Sequence, residues 1–130
     1  MTNLLSNITP QQASLNRGAW LKGETAVRKL ANRYPVVFVV TGPLYDKPMP
    51  SLPNATKPNQ VPSGYFKVIA VQTPGTLKVA AFIMPQDAKR SDTLCQYQTT
   101  LKTVEQKAGE PIFPVIQKPI RSLSQELGCS

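Results

Sequence analysis

Along the chain, apolar and polar positions alternate between helical and strand-like patterns, separated by proline-rich breaks. Residues 2–8 read as a short strand that ends in a turn at Thr9-Pro10. An apolar-periodic segment then predicts a helix over 15–33, with Ser14 as its N-cap and an end near Asn32, because Pro35 cannot continue it. Gly23 falls in the middle of that helix, where glycine costs up to about 1 kcal/mol relative to alanine. Residues 36–41 are β-branched and apolar throughout, the pattern of a strand buried on both faces, and Gly42-Pro43 breaks it. Six prolines over 43–62 mark an irregular loop and not a second domain. Residues 64–71 and 77–84 read as paired strands joined around Pro74-Gly75. An exposed loop follows at 89–92, then a short helix over 101–108 stopped by Gly109, then a second short helix over 120–127. No internal repeat interrupts the series. The order predicts one α+β domain over 1–130, an antiparallel sheet flanked by helices.

Length and charge narrow the picture. A domain of 130 residues buries roughly two-thirds of its unfolded surface, and 41% hydrophobic content argues against disorder. No apolar run approaches the ~20 residues of a membrane span, so no membrane partner is expected. The first six residues are neither basic nor apolar and carry no signal-peptide pattern. The net charge is +8, and half of it lies over 17–33, where Arg17, Lys22, Arg28, Lys29 and Arg33 face only Glu24. A basic helix suits a polyphosphate partner, although many soluble domains are basic without touching nucleic acid.

The candidate chemistry sits on the same helix. Asn16, Trp20, Glu24 and Arg28 recur every four residues, and on a straight helix they stay within about 120° of one face. An amide, a carboxylate and a guanidinium in line point to a site. The plainer alternative is a solvated face with a Glu24–Arg28 pair one turn apart. Trp20 reads as core more readily than as a base-stacking platform. With no CxxC pair and no histidine anywhere in the chain, a zinc site has no ligand set.

The wording of this stretch adds more. SNITPQ, an Asn nine residues on in LNRGAW, a Glu eight further and an Arg four beyond resemble the DNA/RNA non-specific endonucleases. These are ββα-metal nucleases, the class that includes endonuclease G. The likeness continues through VVFVVTGPLYD, VPSGYFKVIAV, VAAFIMPQ and the Cys95 region to LGC, covering nearly the whole chain in order. The family's Asp-Arg-Gly-His motif, which lies upstream and supplies the general base, is absent. The resemblance therefore implies the C-terminal half of an incomplete ββα-metal nuclease fold.

It also implies roles. Asn16 would hold one divalent ion, Mg²⁺ or Mn²⁺, with water and phosphate oxygens completing its shell. Glu24 would hold metal-bound water, Arg28 would contact the phosphate, and Asn7 would position neighbouring groups. Arg17, Lys22 and Arg28 would meet DNA or RNA. Cys95 and Cys129 occupy the family's disulfide positions, so a bridge is implied, with two buried thiols as the alternative. A bridge fits a secreted or periplasmic parent, whose signal would belong to the N-terminal part. Two functions follow: a nuclease half that is inactive alone, or a non-enzymatic remnant that binds nucleic acid. In either case the partner chain is the missing half or a second copy. A purely structural domain is the third and weakest reading.

Overall fold

The computed structural model describes residues 16–45, 62–113 and 119–129. The expected strand over 2–8, the Ser14 cap, Asn7 and residues 46–61 of the proline-rich loop lie outside the described residues.

β2 (Gly64–Thr73) and β3 (Thr76–Pro85) form the centre, antiparallel and in register from Gly64↔Pro85 to Thr73↔Thr76. The two faces of β2 are both apolar, which is why it takes the middle of the sheet. Tyr65, Ile69 and Val71 enter one core cluster, while Phe66, Val68 and Ala70 enter another. The hairpin closes through Pro74-Gly75, with Gly75 at a φ of 75° that side chains rarely adopt. β1 (Val37–Leu44) pairs with the free edge of β2. β4 (Gln98–Thr99) and β5 (Ile120–Ser122) share the outer edge of β3, the first antiparallel and the second parallel. α1 (Leu21–Ala31) packs on the face of Tyr65 and Ile69 through Leu30, and α2 (Leu101–Ala108) packs on the other face through Val104. Thr100 caps α2, its hydroxyl accepting from the Thr103 N–H at 3.1 Å, and Gly109 ends it at a φ of 81°. Among the described residues the result is an α+β fold of five strands and two α-helices.

Some expectations change. The helix expected over 15–33 is two pieces, a π-helical turn at Asn16–Trp20 and then α1. Inside the first piece Gly18 is non-helical, with φ −105° and ψ −111°. A Cβ there would stand 2.7 Å from Arg90 Cα and 2.9 Å from the Arg90 carbonyl oxygen, so the kink presses backbone against backbone. The stretch 36–41 is not buried on both faces: Val36, Phe38 and Val39 are 44%, 41% and 39% exposed. Among the described residues β2 is the only strand beside it. β1 also runs through Gly42-Pro43 to Leu44. Gly42 stands opposite Phe66, whose ring fills the space a side chain would need, with Cε2 2.7 Å from a built Cβ. Proline is tolerated because an edge strand does not need every N–H. Nor is 120–127 a helix. Its first three residues are captured by the unpaired edge of β3, and Ser124–Leu127 makes a single 3-10 turn ended by Gly128 at a φ of 79°.

That C-terminal turn is tied down twice. Glu126 accepts from Tyr34, pairs with Lys78 at 2.9 Å and meets Arg33 at 3.3 Å. The Tyr34 and then the Lys78 hydrogen bonds hold its carboxyl below the ordinary carboxylate range. This contribution is present above the unfolded carboxyl's pKa and is lost as pH falls through the folded one. The Cys95–Cys129 disulfide, with Cα atoms 5.4 Å apart, joins the turn to the Leu94–Tyr97 segment across 34 residues. A loop of that size contributes about 3–4 kcal/mol in the chain-entropy model. Reduction should therefore lower the melting temperature by roughly 10 °C, measured by calorimetry with and without reductant. Thiol titration of the unfolded, unreduced protein should find no free thiol; two would contradict the bridge.

Candidate functional site on the first described helix

The kink at Gly18 decides how the four candidate residues stand to one another. Asn16 opens the π turn, and the rotation of a straight α-helix does not carry across to Trp20. Asn7 lies outside the described residues, and so does the Asn16 side chain. Trp20 is core: it is 6% exposed and meets Tyr65 edge-on at 5.6 Å. From there the α-helical period holds, and it places Glu24 and Arg28 one turn apart, both exposed. They do not pair. Among the described residues the ion pairs are those of Glu126, and Arg28 donates from Nη2 to Thr25 Oγ1 at 3.3 Å. The Glu24 carboxylate and the Arg28 fork are thus open side by side.

The basic residues divide into two groups. Arg17, Lys22, Lys29 and Arg33 line an open cleft of about 730 Å³ between α1 and the disulfide-bridged segments, with Glu126 on its far wall. Glu24 and Arg28 are not part of it. Lys22 is already committed, its ammonium donating to the Asp92 carbonyl at 2.6 Å and the Arg90 carbonyl at 3.4 Å. Arg33 is likewise engaged with Glu126. The charge that the sequence places on one helix is therefore split between two faces and partly spent on holding the 89–92 loop.

Sequence reasoning missed Lys67. The signal was a single lysine in a strand that is apolar on both faces. The period-2 alternation puts it on the same face as Tyr65, Ile69 and Val71. It is 3% exposed, and its ammonium lies 4.2 Å from the Trp20 ring centroid, within cation–π range. Gly23 explains how it fits: a Cβ there would be 3.2 Å from both Cδ and Cε of Lys67, tighter than ordinary contact. The glycine that weakens the helix is the clearance for the lysine stem. Burial drives the Lys67 pKa down to about 8, and the nearby charge of Glu24 opposes the fall.

No cluster of three or more His, Cys, Asp or Glu exists among the described residues. One open carboxylate beside an open guanidinium can hold ordered water and an anionic oxygen together. Mg²⁺ commonly keeps several waters, so such a sparse donor set fits it.

The sequence profile described as DNA/RNA non-specific endonuclease matches residues 1–117. The nuclease of Serratia marcescens is 41% identical over 110 residues, which cover 82% of this chain and 41% of that protein. The mitochondrial nuclease EXOG of Homo sapiens is 32% identical over 130 residues, 90% of this chain and 35% of its own length. The mitochondrial nuclease of Saccharomyces cerevisiae is 29% identical over 147 residues, 98% and 45% respectively. The chain spans less than half the length of these curated relatives.

Trp20 is the only tryptophan, so its fluorescence reports on the ammonium above it. Emission should titrate with a midpoint near pH 8, go flat in Lys67→Met, and move to lower pH in Glu24→Gln. Stability should follow the same lysine. The folded pKa of about 8 lies below the ordinary 10.5, so the unfolded chain binds more protons between those values. Stability therefore rises as pH climbs through that window, by on the order of 3 kcal/mol at most. Denaturant titrations should show that rise in the parent chain and not in Lys67→Met.

Proposed function

Because the chain belongs to the DNA/RNA non-specific endonuclease family, we propose that it serves metal-dependent, sequence-indifferent hydrolysis of DNA and RNA as the C-terminal half of the catalytic fold. The observation that carries this reading is the open pair of Glu24 and Arg28 on α1, into which the kinked turn opened by Asn16 leads. In this reading the Asn16 amide oxygen is the protein's anchor for Mg²⁺ or Mn²⁺. The ion, when bound, supplies polarisation of the phosphate and stabilisation of the leaving oxyanion. Glu24 accepts hydrogen bonds from water at that position and so fixes its orientation. Arg28 directs its planar fork at the phosphate, where charge builds as the bond to water forms. Asn7 orients its neighbours by hydrogen bonding. Arg17 and Arg28 meet the nucleic-acid backbone, while Lys22 holds the loop behind them.

No histidine is present to take the proton from water, so the base comes from the half that carries Asp-Arg-Gly-His. The exposed apolar residues Phe38 and Val39 on β1, with Val36 just before it, offer that half a surface and a strand edge to pair with. The disulfide fits an oxidising compartment, and with it a secreted or periplasmic parent. The lack of a base also favours a second reading, a non-enzymatic remnant that binds nucleic acid or associates with another chain, its missing half or a second copy.

Complementation separates the two. The chain alone should not cleave, since losing a general base costs about 10²–10⁴-fold. Mixed with a domain carrying Asp-Arg-Gly-His, it should cut plasmid and RNA in the presence of Mg²⁺. Asn16→Ala should abolish that activity and the paramagnetic broadening by Mn²⁺, and Glu24→Ala should reduce cleavage by about 10–100-fold. Robust cleavage by the chain alone would overturn the assignment of the base. A mixture that binds nucleic acid without cutting it would favour the second reading.

A further inference from the structure

We propose that Lys67 is a positioning residue for Glu24: its buried ammonium, seated on the Trp20 ring beneath α1, fixes the carboxylate from below. The inference rests on the nuclease reading for what Glu24 does, but not for the coupling itself.

The fold does not ask for a charge at this position. Lys67 shares its face of β2 with Tyr65, Ile69 and Val71, and an apolar side chain would pack there without desolvating an ion. Three features accommodate it. Gly23 gives up its side chain and leaves the stem a channel, with Lys67 Cδ and Cε each 3.2 Å from where a Cβ would stand. Trp20 offers its ring face to the ammonium at 4.2 Å. Glu24 follows the channel and stands one helical turn after Trp20, the ring that seats the ammonium, and its charge opposes the effect of burial on Lys67. No hydrogen-bond acceptor for Lys67 Nζ exists among the described residues, so its partners there are the ring and the field of that carboxylate.

Glu24 needs such a partner. It is the only acid on a helix with Lys22, Arg28 and Lys29 within five residues of it. Exposed cations on long, mobile side chains pull a carboxylate in several directions and are screened by salt. A cation held in the core is less mobile than these and less screened by salt. It biases Glu24 toward one orientation, and water held by Glu24 inherits that bias.

The test compares Lys67→Met, which keeps the stem and removes the charge, with Lys67→Arg, which restores a cation. With glutamate labelled at the carboxyl carbon, the Glu24 resonance should move in Lys67→Met while those of Glu105, Glu110 and Glu126 stay. It should return toward its parent position in Lys67→Arg. In the complemented nuclease, Lys67→Met should lower kcat by about 10–100-fold with KM little changed, although the protein is no less stable at neutral pH. A purely structural lysine would instead leave the Glu24 resonance in place, and that result overturns the proposal. If Lys67→Met fails to fold, Glu24→Gln in the parent chain decides. A lowered Trp20 fluorescence midpoint supports the coupling, and an unchanged one overturns it. If the parent mixture never cleaves while the Glu24 resonance still moves, the nuclease reading fails and the coupling stands.

Discussion

The ladder between β2 and β3 is the constraint on which the rest depends. Its ten paired positions put apolar side chains on both faces of the sheet, so neither face can be left to water. α1 and α2 are bound to opposite sides for that reason, and each needs only a few anchors, Leu30 on one and Val104 on the other. The outer edge of β3 draws in two short strands from distant parts of the chain. These pairings bring the C-terminal turn within reach of Tyr34, Lys78 and Cys95. The charge cluster around Glu126 and the disulfide are thus consequences of the ladder, fastening what it has already gathered.

The same ladder makes a charge on its inner face expensive, which gives Lys67 its interest. A strand that could have been wholly apolar carries a cation under the helix that bears the candidate groups. The accommodations are specific to it: a glycine on the helix above, and the face of the one tryptophan. Stability is sacrificed where the helix meets the sheet, close to the surface where Glu24 and Arg28 are exposed.

How much of this could be read from the sequence depended on whether the signal was local. The hairpin, α2 and its Gly109 stop follow from alternation, turn chemistry and capping, all of which act within a few residues. The disulfide came through the family likeness and is formed. The errors were non-local. Whether 36–41 is central or edge depends on what lies beside it, and Gly42 reads as a breaker until Phe66 is seen across from it. Ile120–Ser122 became a strand because β3 had an open edge, which a local helical pattern cannot reveal. The candidate site was legible in residue type but not in geometry. Spacing set Glu24 and Arg28 one turn apart on one face, as they stand in α1, yet straight-helix arithmetic failed at Gly18, where the kink is set by the backbone of a loop some seventy residues away in sequence. Lys67 was visible as an oddity and lacked a partner until the helix was placed over it.

The way the helix meets the 89–92 loop has a consequence for how sequences of this fold are free to drift. Gly18 touches the main chain of Lys89 and Arg90, and Lys22 grips the carbonyls of Arg90 and Asp92. The Asp92 side chain closes the loop on itself through the Lys89 N–H and Tyr97. None of these contacts reads the side chains of Lys89, Arg90 or Ser91. Those three positions are open to almost any residue, whereas inserting or deleting one would move the carbonyls away from Lys22 and the backbone away from Gly18. In this part of the molecule the contacts depend on the length of the loop and its backbone path, and not on which side chains those three positions carry.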